Sequence, residues 1–299
     1  AIELTHSEIS RMAKIIGRMV DSVLPPFISD PNKLRDKHHP QLSIIEGIEM
    51  REHKLDFLEE KVSDYLLRIG RRNLSKEQSE EVYRLLSVVK DMESIGDIIH
   101  KNMIPQMIKK SLLKKNFSKE GKNEIVTYHE KIHGQLEKLE SVLGAMDRQK
   151  AAEVMQLSKD YAIMEEKFRK NHLKRVKNEL EESLVTHEVH MELMDLMKQI
   201  NTYVLNIAKS VKQIERRRGT SYGVAISILY GTALPWRKVK PFRPRRQTSR
   251  LKIYQTDVVG LKNVRDYYQR DLSKVAQFNF ATKGARGDRQ EASLCPAIS

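Results

Sequence analysis

The chain has 299 residues, is 39% apolar, holds one cysteine and carries a formal net charge of +14. That length suffices for one large or two ordinary domains, and a lone cysteine excludes a disulfide scaffold and fits a reducing compartment. The chain holds no run of eighteen apolar residues, about the length that a membrane-spanning helix needs. Ala1, Glu3 and His6 do not open a secretory leader, and a start without Met reads as a piece of something longer.

The charge is unevenly placed. Residues 216–299 hold 18 Lys/Arg against 5 Asp/Glu, a net of +13, whereas residues 1–215 hold 36 against 35, a net of +1. Every histidine and methionine lies in the first part, while Trp236 and Cys295 lie in the second. The basic balance belongs to the tail alone.

Leu4, Ile9, Met12, Ile16, Met19, Val20 and Val23 recur at helical spacing over residues 2–24, and Pro25-Pro26 stops them. Beyond a polar loop, Ile45, Ile48, Leu55, Leu58, Val62, Tyr65, Leu66 and Ile69 set a second helix over 42–70. Ser75, with Gln78 three residues on, has the spacing of a capping box and opens a third helix over 76–113, which Pro105 is expected to bend. Ser118-Lys119-Glu120-Gly121 starts a fourth, to about 144; a fifth runs over 147–177 and a sixth over 180–214. Six long helices with short connections and no strand-like alternation predict an all-α, elongated helical bundle. The stretch after 215 loses this periodicity; Lys238-Val239-Lys240-Pro241 onward is basic and proline-broken, and the end reads as disordered. The domain expected is therefore residues 1–215, with 216–299 a basic tail of different origin.

The helical part repeats itself. Leu58-Glu59-Glu60-Lys61-Val62 returns 106 residues later as Met164-Glu165-Glu166-Lys167-Phe168, and the segment around Ile95 returns 105 later around Ile200. Two three-helix repeats follow, over 1–115 and 118–215.

The chemistry lies in acids. Glu93 and Asp97 stand four residues apart on the third helix, beside its apolar stripe, and Glu52 and Asp56 do the same on the second, with Glu60 a turn further. Neighbouring helices in a bundle bring two such pairs face to face, a donor set for hard or intermediate cations such as Mg, Mn, Fe or Zn. Glu8, His53 and His100 are candidates to join them. Solvated helix faces carry such pairs too. The offset places Ser158, Ala162, Lys198 and Thr202 where the first repeat has Glu52, Asp56, Glu93 and Asp97. His129 and His133 also stand four apart, without a carboxylate or thiol partner at ligand spacing. No nucleotide loop, zincin motif or catalytic triad pattern appears, so no enzyme is expected. Arg216-Arg217-Arg218 and Arg237 through Arg250 leave nucleic acid or anionic lipid as readings of the tail.

The run Glu93-Ser94-Ile95-Gly96-Asp97, closing the first of two three-helix repeats, resembles the PhoU family, whose repeats carry E-R-I-G-D and end in N-I-A. Ile200 through Ala208 keeps the end of that motif without its acids, and Ser94 stands at the family's Arg. Residues 1–215 are most similar to the cytoplasmic PhoU-like domain of bacterial Na/phosphate cotransporters. The resemblance implies a regulator of phosphate transport rather than a catalyst. It implies metal held by Glu93 and Asp97 with Glu52 and Asp56 opposite, and a place on the cytoplasmic face of the inner membrane. The implied partner is the membrane portion of the same or a neighbouring protein; a stand-alone PhoU regulator and a homodimer are the alternatives.

Overall fold

The computed structural model describes residues 2–29, 34–113 and 115–214, with backbone alone for residues 2–4. The helices are α1 (Ile2–Val23), α2 (Pro25–Ile28), α3 (Ile44–Gly70), α4 (Lys76–Asp97), α5 (Ile104–Leu112), α6 (Lys119–Ala145), α7 (Arg148–Lys177), α8 (Glu181–Val185) and α9 (His187–Gln213). Among the described residues no strand forms; a single antiparallel bridge joins Arg35 to Ser43. The fold is all-α, as the periodicity predicts.

Local chemistry sets where the helices begin. At α3, Ser43 accepts the Glu46 N–H while the Glu46 carboxylate accepts the Ser43 N–H at 2.7 Å. Ser75 and Gln78 close the same reciprocal box at α4. Ser118 Oγ accepts the Gly121 N–H at α6, and Asp147 accepts the Gln149 and Lys150 N–H groups at α7. Each cap satisfies donors that a helix start leaves orphaned.

Two long helices expected to be continuous are interrupted. The third is α-helical only to Asp97; Ile98–Met103 widens to a π-helical turn, in which Ile104 donates to Ile99 five residues back, and α5 then follows. Pro105 has no N–H to give and its ring crowds the carbonyl four residues behind it. The wider turn sits immediately before it, which is how the strain of the proline is accommodated without a break. The sixth is cut at Thr186, whose hydroxyl donates to the Glu182 carbonyl at 2.6 Å while its backbone leaves the helical region, separating α8 from α9.

The long helices form two groups of three. In the first, α3 packs on α1 and on α4; in the second, α7 packs on α6 and α9; α1 against α6 and α4 against α9 join the groups. The predicted stripes form the core: Leu85, Val88, Val89, Met92, Ile95 and Ile99 of the third long helix are all fully buried. Each such side chain contributes roughly 1.5–3 kcal/mol relative to exposure. The loop before α3 is pinned from below. Arg51 donates to both oxygens of the buried Asp36, at 2.7 and 2.8 Å, and the N–H groups of His38 and His39 also reach that carboxylate.

Candidate metal centre between α3 and α4

Gly96 decides how close α4 comes to α3. A Cβ there would lie 2.7 Å from Glu52 Oε2 and would overlap Leu55 Cδ2. Without it the helices meet closely enough to seal Glu52, which is 3% exposed. A glycine inside a helical pattern costs helix propensity, and close approach is the return for it.

The sequence-predicted acids come together around this crossing. Burial first, then the charges of Asp56 and Asp97, push the Glu52 carboxyl up to about 8, so it is protonated at neutral pH and donates to Asp97. Its Oε2 is sealed from solvent with no hydrogen-bond partner. Asp56, one turn along α3, is raised by burial and then by the charges of Asp97 and Glu93. On α4, Glu93 accepts from Lys90 Nζ and Asp97 from Lys101 Nζ, each at 2.6 Å. Four acids thus share one region with two lysines at its rim. His53 acts on Asp56 only through its charge. Glu8 pairs with Arg11 at 3.5 Å on its own helix, and Glu60 with the adjacent Lys61. His100 stays near the site in sequence, with Nδ1 sealed and unpartnered.

The donor chemistry fits a hard cation: carboxylates held against one another's repulsion and one buried oxygen orphaned. The positions stop short of a coordination sphere. Among the described residues no three His, Cys, Asp or Glu side chains are placed to hold one ion. The two lysine ammoniums stand where added positive charge would otherwise be drawn.

The second repeat resolves the same problem with its own residues. Asn201, 105 residues after Gly96, donates to the Ser158 carbonyl at 2.8 Å, so the pair equivalent to Gly96 and Glu52 also touches. Lys198, at the place of Glu93, lies 3.3 Å from the buried Glu165, and Arg169 bridges Glu165 to Asp195. Acids there are neutralised internally.

Sequence reasoning found the four acids and missed what surrounds them. Gly96 was visible as a glycine in mid-helix, and Lys90 and Lys101 as cations three and four residues from Glu93 and Asp97. The His129–His133 pair is structural: His129 Nε2 bonds the Val20 carbonyl at 2.7 Å, tying α6 to α1, and His133 stacks on it. The arginine-rich runs of the tail lie outside the described residues.

No family model matches the chain. Over 148 residues it is 25% identical to the candidate inorganic phosphate export protein YjbB of Salmonella typhimurium, and 24% identical to its counterpart in Escherichia coli K12. Those matches cover 49% of this chain and 27% of either relative, so the chain aligns with about a quarter of each relative's length. Among solved structures, PhoU from Pseudomonas aeruginosa superposes with a TM-score of 0.59 at 16% identity, covering 71% of this chain and 96% of that one. The phosphate transport system regulatory protein PhoU from Streptococcus pneumoniae gives 0.57 at 12% identity, covering 71% and 94%. The helical part of the chain has the PhoU fold.

Proposed function

We propose that residues 1–215 are a PhoU-like regulatory domain that modulates inorganic phosphate transport from the cytoplasmic side of the inner membrane. The observation that carries this reading is the coincidence of a PhoU fold with sequence similarity to phosphate export proteins over 148 residues. No described helix is long and apolar enough to cross a membrane. In this reading the bundle acts on the membrane portion of a sodium-dependent phosphate transporter encoded in the same or a neighbouring gene. Its role is regulatory rather than catalytic: it biases the transporter only by binding one transport state more tightly than another.

Glu52, Asp56, Glu93 and Asp97 are the residues that would hold a divalent or trivalent cation. A bound cation there would supply positive charge to a cluster otherwise partly protonated. For it to bind, Glu52 gives up its proton, and Lys90 and Lys101 release Glu93 and Asp97. Proton and metal then compete for one site, which makes affinity rise with pH.

The alternative reading is a stand-alone PhoU regulator acting on a separate transporter or sensor kinase, alone or as a homodimer. It has the same fold in its favour. The genomic sequence upstream of Ala1 separates the two. Transmembrane repeats in the same frame support the fused transporter, and a start codon just before Ala1 with no such repeats defeats it. The nucleic-acid reading rests on the tail; truncation after residue 215 abolishes salt-dependent binding if that reading holds and leaves it unchanged otherwise.

A further inference from the structure

Three histidines far apart in sequence gather at the end of the second repeat. His172 of α7 stacks on His190 of α9 at 3.9 Å between centroids, with planes 9° apart, and on His187 at 5.1 Å and 11°. His172 Nε2 and His187 Nδ1 share a hydrogen bond of 2.9 Å. His172 and His190 are each 1% exposed, and His172 Nδ1 is sealed without a partner. Near-parallel rings cannot aim their lone pairs at one ion, so the stack is not a metal site, consistent with the absence of such a group among the described residues.

The surroundings offer little to stabilise charge on these rings. From α6 come Gly121 and Glu124, and from just before it Phe117, edge-on to His190 at 5.9 Å. Glu124 is the buried acid of this corner, and it is engaged by Arg175, at 2.5 and 3.2 Å, and by Asn171. Arg175 itself faces the rings from α7 as a further positive charge. Lys110 lies over Phe117 from α5. On the outside, Glu181 pairs with Lys115 and Glu188 with Lys109. Burial first, then Arg175 and His187, hold His172 down to about 4; burial, then His172 and Arg175, hold His190 to about 3 against a backbone hydrogen bond at Gly121 that raises it. The corner is also weakly anchored: of α8 only Ser183 is buried, and Leu180, Leu184 and Val185 are exposed.

We infer that the His172–His187–His190 stack is a proton-operated latch: mild acid releases the α7–α8–α9 corner from the start of α6 while α1, α3 and α4 stay folded. In the closed corner burial keeps the His172 and His190 rings neutral. Once the corner opens they take up protons near the ordinary 6.5, so acid favours the open form. The latch is independent of the carboxylate cluster, which lies on α3 and α4.

Hydrogen exchange resolved by segment, on the full chain at pH 7.5 and 5.5 and corrected for intrinsic rates, tests it. The expected result is opening over 172–190 that rises about tenfold for each histidine released, with α1 and α3 unchanged. In wild type, the imidazoles of His172 and His190 should remain neutral at pH 5.5 by NMR. The double variant His172→Gln, His190→Gln should lose the pH response; if it does not fold, the two wild-type measurements still decide. Exchange independent of pH, acceleration spread evenly over the bundle, or imidazoles titrating near 6.5 would overturn the latch.

Discussion

Glu52 is a carboxyl in a place where a carboxylate is costly. The folded state keeps its proton up to about pH 8, whereas the unfolded chain releases it near 4.5. The native state therefore binds more protons across that window, and stability falls as pH rises through it. Glu52→Gln keeps the shape, cannot ionise, and should gain up to about 4 kcal/mol over wild type at pH 8 with little change at pH 4. Urea denaturation at both pH values measures this; parallel stability curves would contradict it. Asp36 is the opposite case. Burial raises it, but the Arg51 bonds and charge and the His38 and His39 N–H groups outweigh that and hold it down to about 2. Arg51→Met leaves a buried acid without its cation and should cost about 3–5 kcal/mol, read as a drop in the denaturation midpoint at pH 7. Gly96→Ala places a methyl against Leu55 and Glu52 and should cost about 1–3 kcal/mol by overpacking.

At the scale of the helix, starts were more legible than interruptions. Ser75 with Gln78 announced α4 correctly, and Ser43 with Glu46 carried the same signal at α3, where the periodicity alone suggested a start two residues early. Ser43→Ala should remove about 1 kcal/mol, visible as a lower melting temperature. The π-helical turn at Ile98–Met103 leaves no mark on the apolar spacing, because Ile99 and Met103 remain buried on the same stripe. Pro105 hinted at disturbance but not its form. The break at Thr186, where the hydroxyl bonds back to the Glu182 carbonyl, had no glycine or proline to announce it. His172, His187 and His190 meet only through the packing of α7 against α9, which no local pattern encodes.

At the scale of the whole molecule, duplication made the site legible. The offset of 105–106 residues pairs Glu52 with Ser158 and Glu93 with Lys198 in the sequence itself. The structure adds how the two repeats differ physically. One repeat gathers four acids and draws in Lys90 and Lys101; the other replaces acids with Lys198 and holds Glu165 with Arg169. That asymmetry is the basis for assigning any cation to the first repeat alone.

Metal content per chain, determined on protein equilibrated at pH 8 with Mg, Mn, Fe or Zn and then freed of loose ions, tests that assignment most directly. The account expects tightly held metal in wild type, its loss in Glu93→Ala with Asp97→Ala, and no loss in Lys198→Ala. Equal metal in wild type and in the Glu93→Ala, Asp97→Ala variant, or none in either, would contradict it.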